Sequence, residues 1–305
     1  MSMLSVLGAP SVSLDPVSDL RQLTQFPFMV NALEAGTAVA VMAGVAGWFM
    51  VLRRASFAGH SLSMMAFPGA TGALLLGLPA AGGFFVFCGV SALAIGAAGS
   101  AGPQQRSQES AVTGAVQAFG LACGFLFLSL YRGVLGGYEN LLFGSFLGIT
   151  RGQVLTLVLV AAGTLVFFAF VGRPLLFASI DANVARARGV PARALALGFL
   201  LTLGLAVAAT AQITGVLLVF ALLVGPAASA QLLSPRIGVS LALSVVLGLV
   251  ITWVGLALAY FTNYPVGFFI TSTALAIYAA ARVARVLIDR PRVTPAARAP
   301  VAAVH

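Results

Sequence analysis

The sequence contains no lysine. All 16 basic residues are arginine, set against 7 acidic residues, and charged side chains make up 8% of 305 residues. A soluble domain carries about 25% charged residues, so a charge-solvated globule is excluded. The missing lysine also excludes an ATP-binding loop of the Gly-x-x-x-x-Gly-Lys-Ser/Thr kind, whose lysine reaches the nucleotide phosphates. Only two histidines occur, His60 and the terminal His305. There is no His-Glu-x-x-His, no serine nucleophile with a suitable histidine and no pair of intramembrane aspartates, so no enzyme constellation is visible. Cys88 and Cys123 both lie in apolar segments. They have no metal-ligand spacing, say nothing of redox compartment, and read as small buried hydrophobes. The opening MSMLSVLGAPSVSLDP lacks a positive n-region and a cleavage site, so no cleaved signal peptide is expected. Intramembrane carboxylates, usual in proton- or sodium-driven carriers, are nearly absent. Glu34 is the one candidate inside a span, while Glu109 and Glu139 fall in loops.

What the chain has in quantity is apolar surface. Hydrophobic residues make up 60% and the mean hydropathy is +1.07. A membrane span needs about 20 apolar residues, and stretches such as 153–171 and 237–261 supply them. The expected fold is all-α, a polytopic transmembrane helical bundle of about eight to nine spans. These fall near 28–52, 61–79, 82–101, 111–131, 152–172, 194–212, 214–233, 237–261 and 265–287. Residues 1–27 form an N-terminal segment with a short interfacial helix over 16–27 ended by Pro27. Residues 28–288 form the transmembrane domain, and 289–305 an Arg/Pro/Ala tail read as disordered. The net charge of +9 sits in arginines at span ends, which reports orientation in lipid rather than nucleic-acid binding. If the spans alternate, Arg53, Arg54, Arg106, the segment 173–193, Arg236 and the arginines from Arg282 to Arg292 share one side. The positive-inside rule makes that side cytoplasmic, with the N-terminus outside and the C-terminus inside. Arg132 and Arg151 fall on the other side. Tyr131, Tyr138, Tyr260 and Tyr264 then mark the outer boundary. Glycine pairs such as Gly120/Gly124 let helices approach closely, and Gly144–Gly148 suggests a weak, re-entrant outer segment.

Residues 173–193, RPLLFASIDANVARARGVPAR, form a polar island between two apolar runs. Asp181 can cap a helix N-terminus, and Ile180, Val184 and Ala187 share one face. Gly189 and Pro191 end the run. A two-turn helix with an apolar and a basic face suits docking on another protein, which points to a membrane subunit with a soluble partner.

Polar side chains inside spans are costly and are candidate sites. His60 and Met64 stand four apart on one helix face, with Ser61, Ser63 and Met65 nearby and Pro68-Gly69 able to break the helix. Imidazole and thioether suit a borderline or soft metal ion. The alternative is a histidine satisfied by a neighbouring helix, with Met64 as core filler. Glu34 reads either as an interfacial group or as a path residue. Pro226 interrupts the run 215–236 and demands a kink or local accommodation. Asn263, in YFTNYPVGFFI, offers an amide to a ligand or simply forms a turn.

At these segments the chain resembles the membrane permease subunit of bacterial zinc/manganese/iron ABC importers. LTQFPFMVNALEAG (23–36) is similar to that family's entry helix. RRASFAGHSLSMMAFPG (53–69) is similar to its Arg-Arg-x-x-x-x-Gly-Asp-x-x-x-His-x-x-x-Pro-Gly stretch. The island resembles the family's coupling segment, and GVLLVFALLVGPAASAQLL (215–233) its Pro-Ala segment. The resemblance implies a type II importer permease carrying a divalent metal ion, zinc before manganese or iron. It implies a substrate path through His60, Met64, Ser63, Asn263 and Glu34, with His60 and Met64 touching the metal. It implies ATPase coupling by Asp181, Ala185, Arg186, Ala187, Arg188 and Gly189, on a helix at about 180–190. The implied partners are a cytoplasmic ABC ATPase, an extracytoplasmic metal-binding protein, a second permease copy and membrane lipid, with no nucleic acid. No cofactor is expected to stay bound; the metal ion passes transiently. The implied location is the bacterial inner membrane. The family pattern has Asp at His60, His at Met64, Asp at Asn263 and often Glu at Asn183, so carboxylates are missing where a hard ion would want them. A softer metal, a metal chelate, a non-metal substrate, a secondary carrier without ATPase and a non-transporting scaffold are the competing expectations.

Overall fold

The computed structural model describes residues 25–98, 105–131, 142, 144, 148–216, 218–262 and 264–288, with the side chains at 98, 105–109, 182, 183 and 186 excluded. The described residues form helices and connections, with no strand. The helices are α1 (Pro27–Leu52), α2 (Ser56–Leu75), α3 (Ala80–Ala98), α4 (Gln105–Leu130), α5 (Arg151–Ile180), α6 (Ala182–Ala187), α7 (Ala192–Thr214), α8 (Val219–Leu233), α9 (Ile237–Thr262) and α10 (Val266–Ile288).

Seven of these are long and apolar enough to cross a membrane: α1, α3, α4, α5, α7, α9 and α10. The two expected spans outside that set are α2 and α8. Helix α2 carries His60 and several serines, yet is buried almost continuously from Ala58 to Ala73. A helix enclosed by protein need not be lipophilic. Helix α8 has only 15 residues, because Gly215 ends α7 with φ 75° and α8 begins only at Val219. Pro27 also differs from expectation. It opens α1 at the first helical position instead of ending a preceding helix; its missing N–H is one of the groups a helix start leaves unpaired anyway. The rest of the expected interfacial helix, and the tail from 289 onward, lie outside the described residues.

Helix α1 is the hub, packing on α5, α7, α8 and α9, while α7 packs on α1, α2, α3 and α5. Helices α4, α5 and α10 keep most of their apolar side chains on the outside, as lipid-facing helices do. Between lipid and protein there is no hydrophobic gain on association, so packing and internal hydrogen bonds hold such bundles together. The α1–α9 seam shows both. Ser244 Oγ donates to the Gly44 carbonyl at 2.8 Å, and Trp48 Nε1 donates to Ser240 Oγ at 2.9 Å. From α8, Gln231 Nε2 donates to the Trp48 carbonyl at 2.9 Å. Gly47 lets α1 lie against the Leu223 backbone of α8, where any Cβ would overlap the carbonyl. Gly69 and Gly83 do the same for α2 and α3, backbone against backbone.

The α1–α2 connection is a Schellman turn. The Arg54 N–H reaches the Val51 carbonyl at 3.0 Å and the Ala55 N–H the Met50 carbonyl at 2.9 Å. Arg54 itself has φ 57°, a left-handed conformation that costs a non-glycine residue about 1–2 kcal/mol.

Gly82 and Gly83 are neighbours in α3, but a Cβ at Gly82 would meet nothing within 4 Å. Gly83→Ala is therefore expected to destabilise the purified protein by about 2 kcal/mol through overpacking. Gly82→Ala should be neutral or gain up to about 1 kcal/mol from helix propensity. Thermal unfolding in detergent reads the difference; equal melting temperatures would contradict the α2–α3 contact.

Candidate functional site: a histidine–methionine face and a coupling helix

His60 lies on the second turn of α2, on the same side of that helix as Met64; both are half-buried. The imidazole packs edge-on against the Phe220 ring of α8, with centroids 5.2 Å apart and planes at 74°. Its Nδ1 is buried and has no hydrogen-bond partner. A buried polar nitrogen left unpaired is unusual, and here it belongs to a side chain able to ligate metal. Among the described residues no hydrogen-bond partner meets that nitrogen. Ser63 is buried, and its hydroxyl donates to the His60 carbonyl at 2.7 Å. Ser61 donates to Gln117 Oε1 of α4 at 2.7 Å. These serines thus tie α2 to itself and to α4, beside the His60–Met64 face.

Glu34 is exposed on α1. Gly59 packs on the Met50 sulfur, so His60 stands near the level of Met50. At 1.5 Å per residue, Glu34 is about 24 Å further along α1; it does not join the His60–Met64 group. Asn263 lies outside the described residues. Among those described, no cluster of three or more His, Cys, Asp or Glu side chains forms.

The island forms the short helix α6. Asp181 has extended backbone, φ −140° and ψ 99°, ending α5. Its Oδ1 accepts the Val184 N–H at 3.0 Å and its carbonyl the Ala185 N–H at 3.0 Å, so one aspartate caps α6 as its sequence position suggests. Gly189, with φ 77°, and the Val190 N–H on the Ala185 carbonyl at 3.0 Å close the other end. Ala185 is fully buried and anchors α6, whereas Ile180 is 73% and Val184 43% exposed. Ala187, Arg188 and Gly189 are exposed too, while the Arg186 side chain lies outside the described part. Ile180 and Val184 thus turn apolar surface outward beside the exposed Arg188, on a helix held at both ends.

The family model described as "ABC 3 transport family" matches residues 25–285. The chain belongs to that family. As a family member it is a transport permease subunit of a metal ABC importer, a multi-pass membrane protein that leaves ATP hydrolysis to a separate subunit. It is 28% identical over 260 residues to the manganese transport system membrane protein MntC of Halalkalibacterium halodurans, spanning 85% of this chain and 88% of that one. It is 27% identical over 248 residues to the chelated iron transport system membrane protein YfeC of Yersinia pestis, spanning 81% and 83%. Among solved structures it is similar to PsaBC from Streptococcus pneumoniae in complex with Fab, with a TM-score of 0.76 and 26% identity over 87% of this chain and 94% of that chain.

Sequence reasoning missed two features of this permease. Asn31 Nδ2 donates to the Ile149 carbonyl at 3.1 Å, while Asn31 Oδ1 and both amide atoms of Gln212 are buried without partners. Gln212 and Ile149 line a cavity of about 260 Å³ at the end of the bundle opposite α6. The other is Arg53, whose guanidinium leaves the α1–α2 turn to meet α5 and α7. Lone amides in apolar runs were the available signal for the first; nothing local signals the second.

Removing the Asp181 carboxylate should cost α6 about 1 kcal/mol of capping. Asp181→Ala is expected to speed amide hydrogen exchange over 182–190, and Asp181→Ser to restore it. Unchanged exchange in Asp181→Ala would remove the cap from the account.

Proposed function

We propose that this permease conducts a borderline transition-metal ion, zinc foremost, across the bacterial inner membrane. The observation that carries this reading is the unpartnered Nδ1 of His60 beside Met64. Imidazole with thioether is a donor pair for borderline or soft ions and a poor one for Mn²⁺. Two donors per chain are half of a tetrahedral set. A second copy around a shared axis would supply the other half, which supports a homodimeric path. Conduction needs sites weak enough to release the ion, and a site of only two donors per chain meets that need. The exposed face of α6 suits a cytoplasmic ATPase, and an extracytoplasmic metal-binding protein would deliver the ion. The positive-inside pattern supports placing α6 and the C-terminus in the cytoplasm.

A second reading, manganese or iron, is favoured by the names of the relatives. The two are separated by uptake into proteoliposomes holding the permease, its ATPase and its binding protein, assayed over Zn²⁺, Mn²⁺, Fe²⁺ and Cu⁺. ATP-dependent uptake is expected for Zn²⁺ ahead of Mn²⁺. Uptake of none of the four would sink the free-ion reading.

His60→Ala should lower uptake by about tenfold, the scale of one lost polar contact, with assembly intact. Arg186→Glu combined with Arg188→Glu should abolish ATPase co-purification; normal co-purification would argue against the α6 surface.

A further inference from the structure

We infer that Arg53 is the positioning residue that connects the coupling helix to the substrate-path helix. The inference rests on the reading of α6 and α2 given above. Helix α6 packs on α5 and α7, so any displacement of α6 enters the bundle through one of those two. Arg53 touches both. Its Nη1 donates to Ser179 Oγ, on the last turn of α5, at 2.9 Å, and its guanidinium lies over the Phe199 ring of α7, 5.0 Å from the centroid. Ser179 stands two residues before Asp181, which caps α6. On the other side, Arg53 is the C-cap of α1 and opens the tight turn into α2. His60 and Met64 follow on the first turns of that helix.

One other route exists, since α7 itself packs on α2. Helices α2 and α5 do not pack against each other as a pair. Between the α1–α2 turn, the end of α5 and the start of α7 lies a cavity of about 730 Å³, lined among others by Arg53, Arg54, Phe57, Ser179, Ile180 and Phe199. The guanidinium thus reaches across a gap, and the gap leaves room for the turn to move. The Ser179 hydroxyl that receives Arg53 itself donates to the Leu175 carbonyl, so the tie ends on the body of α5 and not on a free rotor. Arg53 also lies at a forced position. Arg54 is held left-handed by the two Schellman hydrogen bonds, which leaves Arg53 little freedom to swing independently of α2. Contact of one residue with both elements that carry the input places Arg53 between the two sites, and coupling is then shown by variants that move transport per ATP and the ATP-driven change together.

The test uses the assembled permease–ATPase–binding-protein complex in proteoliposomes, with Arg53→Gln, Arg53→Lys, Ser179→Ala and the Arg53→Gln/Ser179→Ala pair. Arg53→Gln is expected to assemble and hydrolyse ATP normally while metal moved per ATP falls about tenfold, a usual scale for coupling between sites. Ser179→Ala, a change small enough to leave folding intact, should fall less, and the pair should be no worse than Arg53→Gln alone. Arg53→Lys should recover part of the loss, since an ammonium can still meet Ser179 and the Phe199 face. A fluorophore on Phe57→Cys, in a background with Cys88 and Cys123 replaced, provides a readout independent of cargo. ATP should shift its emission in the otherwise native complex and not in Arg53→Gln. If no metal moves in the unmodified complex but the ATP-driven shift still depends on Arg53, the transport reading fails and the tie stands. Unaltered transport per ATP in Arg53→Gln, losses that multiply in the pair, or an undiminished emission shift would each overturn the inference.

Discussion

Every feature of this permease depends on how closely its helix backbones approach. In lipid, apolar side chains gain nothing by turning from hydrocarbon to protein, so the bundle needs contact surfaces that fit and polar groups that pair internally. Helix α1 meets both needs at one stretch. Gly44 and Gly47 admit the backbones of α9 and α8, and Trp48 is hydrogen-bonded from both of its polar groups. Once α1 is held there, its C-terminal turn is held, and with it the start of α2. The place of His60 against Phe220 follows from packing well away from either ring.

The two candidate ends are built differently. The α6 end is built from local hydrogen bonds: one aspartate, one left-handed glycine and one buried alanine make the helix and turn its apolar face outward. The His60–Met64 face is not local in that sense. Its character comes from what surrounds it: a phenylalanine edge, a missing hydrogen-bond partner and two serines whose hydroxyls are engaged within the protein. The side chains on that face of α2 and the caps of α6 therefore rest on separate contacts.

Much of this was legible residue by residue. Long apolar runs marked the helices, because a backbone in hydrocarbon must satisfy its own hydrogen bonds. The caps of α6 were readable for a similar reason, since Asp181 and Gly189 act on backbone only a few residues away. Helix α2 was legible as a helix but not as an enclosed one; its serines, His60 and Pro68 lowered its hydropathy, and only its neighbours explain how that is tolerated. Pro27 misled because proline is compatible with the end of one segment and the first turn of the next, and the sequence alone does not choose between them.

By itself the amino-acid sequence determined the all-helical membrane class, the family and the short capped helix at the island. These rest on periodicity, composition and interactions spanning four residues or fewer. Only the tertiary structure decided that Glu34 stands apart from His60, that Nδ1 of His60 has no hydrogen-bond partner among the described residues, that α8 begins only at Val219, and that Arg53 reaches Ser179 and Phe199. Each of those depends on which backbones pass within contact distance, and that is settled by glycine-scale fit between helices up to about two hundred residues apart in the chain.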